Sequence, residues 1–97
     1  MVTLTLSASL FALLPDPEQH VAERRRSVRL NATSWEDAVL EIRRRFASLA
    51  ARVFTESGVP ARGFVVVVND DVVRLERESI VLKDGDELCL LAALAGG

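Results

Sequence analysis

A chain of 97 residues, 49% of them hydrophobic, is the size of one domain and buries only roughly 60–70% of its unfolded surface. That leaves little material for a deep cleft, which favours a carrier, a binding module or a subunit over a self-sufficient enzyme. A formal charge of −2 gives no overall pull towards nucleic acid or membrane, and a single cysteine cannot staple the fold.

The first segment alternates. Val2, Leu4, Leu6, Ala8 and Leu10 point one way and Thr3, Thr5, Ser7 and Ser9 the other, which predicts a half-buried strand. Phe11–Leu14 then runs apolar into Pro15-Asp16-Pro17, which breaks regular structure. A second strand is expected over 22–31, with Val28 and Leu30 turned inward. The clearest helix follows. Trp35, Ala38, Val39, Ile42, Phe46, Leu49, Ala50 and Val53 draw one apolar stripe at a period of 3.6. Thr33 or Ser34 caps it, Glu36 and Asp37 suit its positive end, and Gly58 with Pro60 ends it.

Phe64–Val68 is β-branched and apolar on both faces, as a central strand requires. Asn69-Asp70-Asp71 reads as a turn, Val72–Leu75 as a short strand and Ser79–Leu82 as a 3₁₀ turn. Lys83-Asp84-Gly85-Asp86 is a strong turn signal, with Gly85 free to take positive φ. Glu87–Leu91 is the last strand, and Ala92–Gly97 is a small-residue tail. The expected division is a domain over 1–91 and a flexible tail over 92–97.

The strand period also predicts a surface. If Val66 and Val68 face the helix, Val65 and Val67 face away, and so do Cys89 and Leu91. Val65, Val67 and Leu91, joined by Leu94, then form an apolar patch on the open side of the sheet, a candidate docking site. The alternative is that Phe11–Leu14 folds over it.

Other signals read as structural. Arg24-Arg25-Arg26 alternates faces on a strand, and Arg43-Arg44-Arg45 lies on the polar side of the helix near Glu36, Asp37 and Glu41. Nucleic-acid binding needs a net basic face with exposed aromatics, and Trp35 and Phe46 belong to the core stripe. His20 and Cys89 are the only residues of their kinds, too few for a metal site or a catalytic dyad. No cationic leader precedes an apolar stretch, and the longest apolar runs fall short of the ~20 residues of a membrane span. A soluble cytoplasmic protein is expected. Lys83 is the only lysine and would be the side-chain acceptor if copies of the chain were joined to one another.

The order β-β-α-β-β-β resembles that of the ubiquitin-like β-grasp proteins, an α+β class in which one helix packs across a mixed five-stranded sheet. Val66-Val67-Val68-Asn69-Asp70-Asp71, Leu82-Lys83-Asp84-Gly85-Asp86-Glu87-Leu88 and Gly96-Gly97 together resemble the MoaD/ThiS sulfur-carrier family. The resemblance implies a non-catalytic carrier that binds no cofactor itself. A separate adenylyltransferase of the ubiquitin-activating type would use ATP to activate the Gly97 carboxylate. A thiocarboxylate would follow, for delivery to a sulfur-accepting enzyme or a large synthase subunit in molybdopterin-type or related biosynthesis. The alternatives are a modifier joined to target-protein lysines through Gly97, and an interaction module with an inert tail.

Overall fold

The computed structural model describes residues 1–15, 27–75 and 79–93. The elements in chain order are β1 (Val2–Leu6), α1 (Ala8–Phe11), β2 (Ser27–Leu30), α2 (Trp35–Arg45), α3 (Ala47–Val53), β3 (Phe64–Val68), β4 (Asp71–Val72) and β5 (Glu87–Ala92). The strands form one sheet in the order β2-β1-β5-β3-β4. β5 runs parallel to β1 and antiparallel to β3, and the β1–β2 and β3–β4 pairs are antiparallel. This is the mixed five-stranded β-grasp sheet expected from the sequence.

One face of the sheet carries the core. Val2, Leu4, Leu6, Leu30, Val66, Leu88 and Leu90 are almost completely buried, together with Ala38, Ile42, Leu49 and Val53 from the helices and Phe46 from between them. The helical stripe therefore does what its spacing predicts. Ser34 is the cap, its Oγ accepting the Asp37 N–H at 3.1 Å. Glu36 and Asp37 sit in the first turn and Arg43, Arg44 and Arg45 in the last, matching both ends of the helix dipole.

Several expectations are corrected. The helix is not continuous: Phe46 leaves the helical region at φ −130°, ψ 65° and separates α2 from α3. Its N–H still donates to Ile42 O, and its carbonyl still accepts from Ala50 N–H, so the break costs few backbone bonds. Helix α3 then ends at Val53, before Gly58, which instead shapes the turn that returns the chain to Pro60. Strand β1 stops at Leu6, and Ala8–Phe11 forms one helical turn. β4 is only Asp71–Val72, and 79–82 has no helical turn. β5 extends to Ala92, one residue past the expected end of the strand at Leu91. Of the expected strand over 22–31, residues 22–26 lie outside the described residues, as do His20 and Arg24-Arg25-Arg26.

Glu41 faces inward on α2 and is only 7% exposed. Its carboxylate accepts from Arg44, from Arg45 at 3.2 Å and from the Asn31 N–H at 3.3 Å. Arg45 also donates to Arg29 O at 2.7 Å and lies over the Phe46 ring. The Thr3–Arg29 pairing, with Thr3 N–H directed at β5, turns the polar backbone groups of Arg29 towards the outer edge of β2. The Glu41–Arg45 pair thus ties α2 to that edge, where a bare strand would invite pairing with another chain. Replacing Glu41 with Ala should lower stability by about 1–3 kcal/mol, because the Asn31 N–H and the Arg45 guanidinium lose a partner together. Urea denaturation checks this, and an unchanged midpoint would contradict it.

Candidate functional site

The site is built around β5 and the residue flanking it at each end, whose backbone groups serve the two neighbours alternately. Glu87, Cys89, Leu91 and Ala93 meet the β3 side, and Asp86, Leu88, Leu90 and Ala92 meet the β1 side. The register sets the open face in rows. Thr5, Cys89, Val67 and Val72 lie side by side across four strands, and Leu91 and Val65 form the next row. Arg29, Thr3 and Glu87 make a polar row at the other end. The open face therefore grades from polar to apolar along β5, and its apolar end lies where β5 passes to the last residues.

Val65, Val67 and Leu91 are brought together as expected, each half-buried. Val72, which the sequence reading left out of the patch, extends it and is 60% exposed. The Phe11–Leu14 segment goes to the other face. Leu10 and Leu14 are buried in the core, and Phe11 and Leu13 pack against it. Leu94, Gly96 and Gly97 lie outside the described residues. Lys83 is exposed on the turn before β5. Cys89 sits in the middle of the open face; burial and then the nearby Glu87 charge push its thiol pKa up. It is therefore protonated at neutral pH, a poor state for a nucleophile.

The start of β5 is fixed by a clamp between two turns. Asn69 and Asp70 both take positive φ, 49° and 71°, as a two-residue hairpin turn of the primed type demands. Asn69 N–H donates to Glu87 O at 3.0 Å, while its side-chain Oδ1, in place of its own carbonyl, accepts the Glu87 N–H at 2.9 Å. Its Nδ2 donates to Asp86 Oδ1 at 2.9 Å, and the other Asp86 oxygen accepts from the Lys83 N–H at 2.8 Å. Gly85, at φ 91°, closes that turn and donates to Met1 O. The two sequence motifs, Val-Asn-Asp and Asp-Gly-Asp-Glu, are thus one hydrogen-bonded structure.

A groove of about 610 Å³ lies on the helical side, between Trp35, Val39 and Leu40 of α2, Val59-Pro60 and Ile80. Its walls come from three separated segments, so no local pattern announced it. Trp35 is half-buried and packs edge-on against Phe54, with ring centres 5.7 Å apart. Among the described residues, no group of three or more acidic, His or Cys side chains is placed to hold a metal. No helix among them is long and apolar enough to cross a membrane.

A five-stranded mixed sheet with its helices on one face and a central C-terminal strand defines a small ubiquitin-like protein of the β-grasp class. The model of the ThiS family matches residues 12–97, and the chain belongs to that family. It thus has the fold shared by ubiquitin-like sulfur carriers and protein modifiers. Among solved structures it is similar to a chain of the Amycolatopsis orientalis BexX/CysO complex, at 28% identity and a TM-score of 0.67 over 100% of both chains. It is also similar to SAMP1 from Haloferax volcanii, at 23% identity and a TM-score of 0.66 over 99% of this chain and 98% of that one. CysO from Mycobacterium tuberculosis aligns at 20% identity and a TM-score of 0.64, over 97% of this chain and 100% of that one. The last two likenesses speak to fold alone. No curated protein matches the chain significantly.

Two outcomes test the clamp. Asn69→Ala should cost about 1–3 kcal/mol in urea denaturation, because it removes both side-chain bonds and leaves an alanine at positive φ. The second concerns pH. The Asn69 amide first, and the Lys83 N–H second, hold Asp86 below the usual carboxylate range. With the folded pKa below the unfolded one, this stabilisation is complete above the unfolded value of about 3.9 and is lost as pH falls through the folded value. Asp86→Asn should therefore flatten the fall of stability with pH in the acid range, read as urea midpoints from about pH 5 downward. An unchanged acid profile would contradict the assignment.

Proposed function

We propose that this chain is a sulfur carrier whose Gly97 carboxylate is activated by a partner adenylyltransferase and converted to a thiocarboxylate. The observation that carries the reading is the apolar end of the open face, Val65, Val67 and Leu91, which adjoins the exit of β5 in a chain whose family match runs through Gly96-Gly97. A docked partner would cover that face and receive the following residues in one movement. A 28%-identical relative was crystallised as part of a two-protein complex, which supports reading this chain as one that docks on a partner protein.

The chemistry asks little of the carrier. An α-carboxyl group has a pKa of about 3.5, so it is ionised at neutral pH and its oxygen can attack the α-phosphorus of ATP. Pyrophosphate leaves and an acyl adenylate forms. Hydrosulfide then attacks the acyl carbon, the C–O bond to AMP breaks and AMP leaves, and the resulting thioacid loses its proton to give a thiocarboxylate for a sulfur-accepting enzyme or a large synthase subunit. Glycine at 96 and 97 lets the backbone enter a narrow channel, since neither residue carries a Cβ. The carrier supplies the docking face and the acyl group, and the partner supplies ATP and the site.

A modifier reading shares the first step. A lysine amine would attack the activated Gly97 carbonyl and leave an amide, and exposed Lys83 would be the acceptor in chains of this protein.

The test is ATP–pyrophosphate exchange with the adenylyltransferase recovered alongside the chain from its native cell. The intact chain should support exchange, and deletion of Gly96-Gly97 should abolish it. Val67→Asp should weaken carrier binding on the order of tenfold or more, as loss of a central apolar contact does, with its circular dichroism spectrum preserved. Exchange that survives the deletion would overturn the reading.

A further inference from the structure

The last two described amides, of Ala92 at the end of β5 and of Ala93 just past it, are held from opposite sides. Ala93 N–H donates to Gly63 O at 2.7 Å, continuing the β3 ladder. Ala92 N–H donates to Ser7 Oγ at 3.2 Å on the β1 side. Ser7 N–H itself donates to Leu90 O at 3.2 Å, so the next bond of a parallel ladder would run from Ala92 N–H to the Ser7 carbonyl. That carbonyl is already taken by Leu10 N–H and Phe11 N–H, at 3.1 and 2.8 Å, because the chain turns there into α1. The Ser7 hydroxyl stands in for its own carbonyl.

Ser7 is also the N-cap residue of α1, yet its side chain makes no capping bond. Serine at this position normally turns its oxygen to the helix; here it is directed to β5. On the other side, Gly63 takes φ 95° in open space, a conformation that suits glycine and that presents its carbonyl to Ala93. The exit of β5 is thus fixed by a hydroxyl and a carbonyl from segments at opposite edges of the strand.

Gly97, the reactive end, lies four residue steps beyond Ala93. At ~3.3–3.6 Å per extended residue, Gly97 can reach no farther than about 14 Å from Ala93. With so short a leash, the position and heading of Ala92 and Ala93 decide where the carboxylate can be delivered once the open face is docked.

We infer that Ser7 is a positioning residue for activation of Gly97, its hydroxyl acting with the Gly63 carbonyl to set the point and direction at which the last residues leave the domain. The inference rests on the carrier reading above. Ser7 touches neither ATP nor the acyl carbon; it acts through Ala92.

The experiment pairs two readouts on the full chain: amide hydrogen exchange by NMR, and steady-state ATP–pyrophosphate exchange with the native adenylyltransferase. Ser7→Ala should remove protection at the Ala92 amide while the Leu88 and Leu90 amides stay protected. It should lower kcat on the order of tenfold with KM for the carrier unchanged, since misplacement of reacting groups by ~1 Å can cost up to 10²-fold while the docking face is intact. Ser7→Thr, which keeps the hydroxyl, should restore both. Loss of Ala92 protection with kcat unchanged would overturn the inference, and so would Ala92 protection that survives Ser7→Ala. If the unsubstituted chain gives no exchange at all, the carrier reading falls and takes this inference with it, and the amide data then report the bond alone.

Discussion

Strand β5 is the middle strand of the sheet, and its backbone ladder has to be closed at both ends by segments that are themselves leaving the sheet. At the start, the β3–β4 hairpin turns away and the Asn69 side chain takes the place of its carbonyl against the Glu87 N–H. At the end, β1 turns into α1 and the Ser7 hydroxyl does the same for the Ala92 N–H. A backbone donor shut off from water without a partner costs about as much as a lost hydrogen bond, which applies to the part-buried Ala92 N–H more than to the exposed Glu87 N–H. These two substitutions let both neighbours turn sharply without stranding the central strand. The register that results places Leu88 and Leu90 in the core and Cys89 and Leu91 on the open face.

Once that register is set, the rest of the architecture has few choices. The helices must cover Leu4, Val66, Leu88 and Leu90, and the stripe from Ala38 to Val53 does so. The Glu41–Arg45 pair ties α2 to the outer edge of β2. The uncovered face is left polar at Arg29, Thr3 and Glu87 and apolar at Val65, Val67 and Leu91. Function, on this account, follows from direction: β5 runs from the clamped turns towards the apolar end and hands the chain over there.

Much of this was legible because period two and period 3.6 are carried by neighbouring residues. The alternation of Val2 to Leu6, the valine run of β3 and the stripe from Trp35 to Val53 each announced an element, and the Asn-Asp and Asp-Gly-Asp turns announced the reversals. Val65, Val67 and Leu91 followed from strand period alone. The end of β1 was not legible, because Leu6 and Leu10 are four apart and fit a helix as well as a strand; both readings bury Leu10. The break at Phe46 was hidden for a similar reason, since no proline or glycine marks it and the apolar stripe continues across it. The two side-chain substitutions on β5 were out of reach. Ser7 and Ala92 are 85 positions apart, and the bond exists only because β1 and β5 pair in parallel. The Val-Asn and Asp-Gly-Asp-Glu motifs were visible as separate strings, but their union through Asn69 and Asp86 needed the folded sheet.

If the chain is a carrier, its last residues should carry a chemical trace of their use. The most direct measurement is the intact mass of the chain isolated from its native cell, followed by fragmentation of its C-terminal peptide. The account predicts a fraction heavier by the exchange of one oxygen for sulfur, with the change confined to Gly97. A chain whose terminal carboxylate is always unmodified when free, with Gly-Gly remnants found instead on lysines of other proteins, would contradict it.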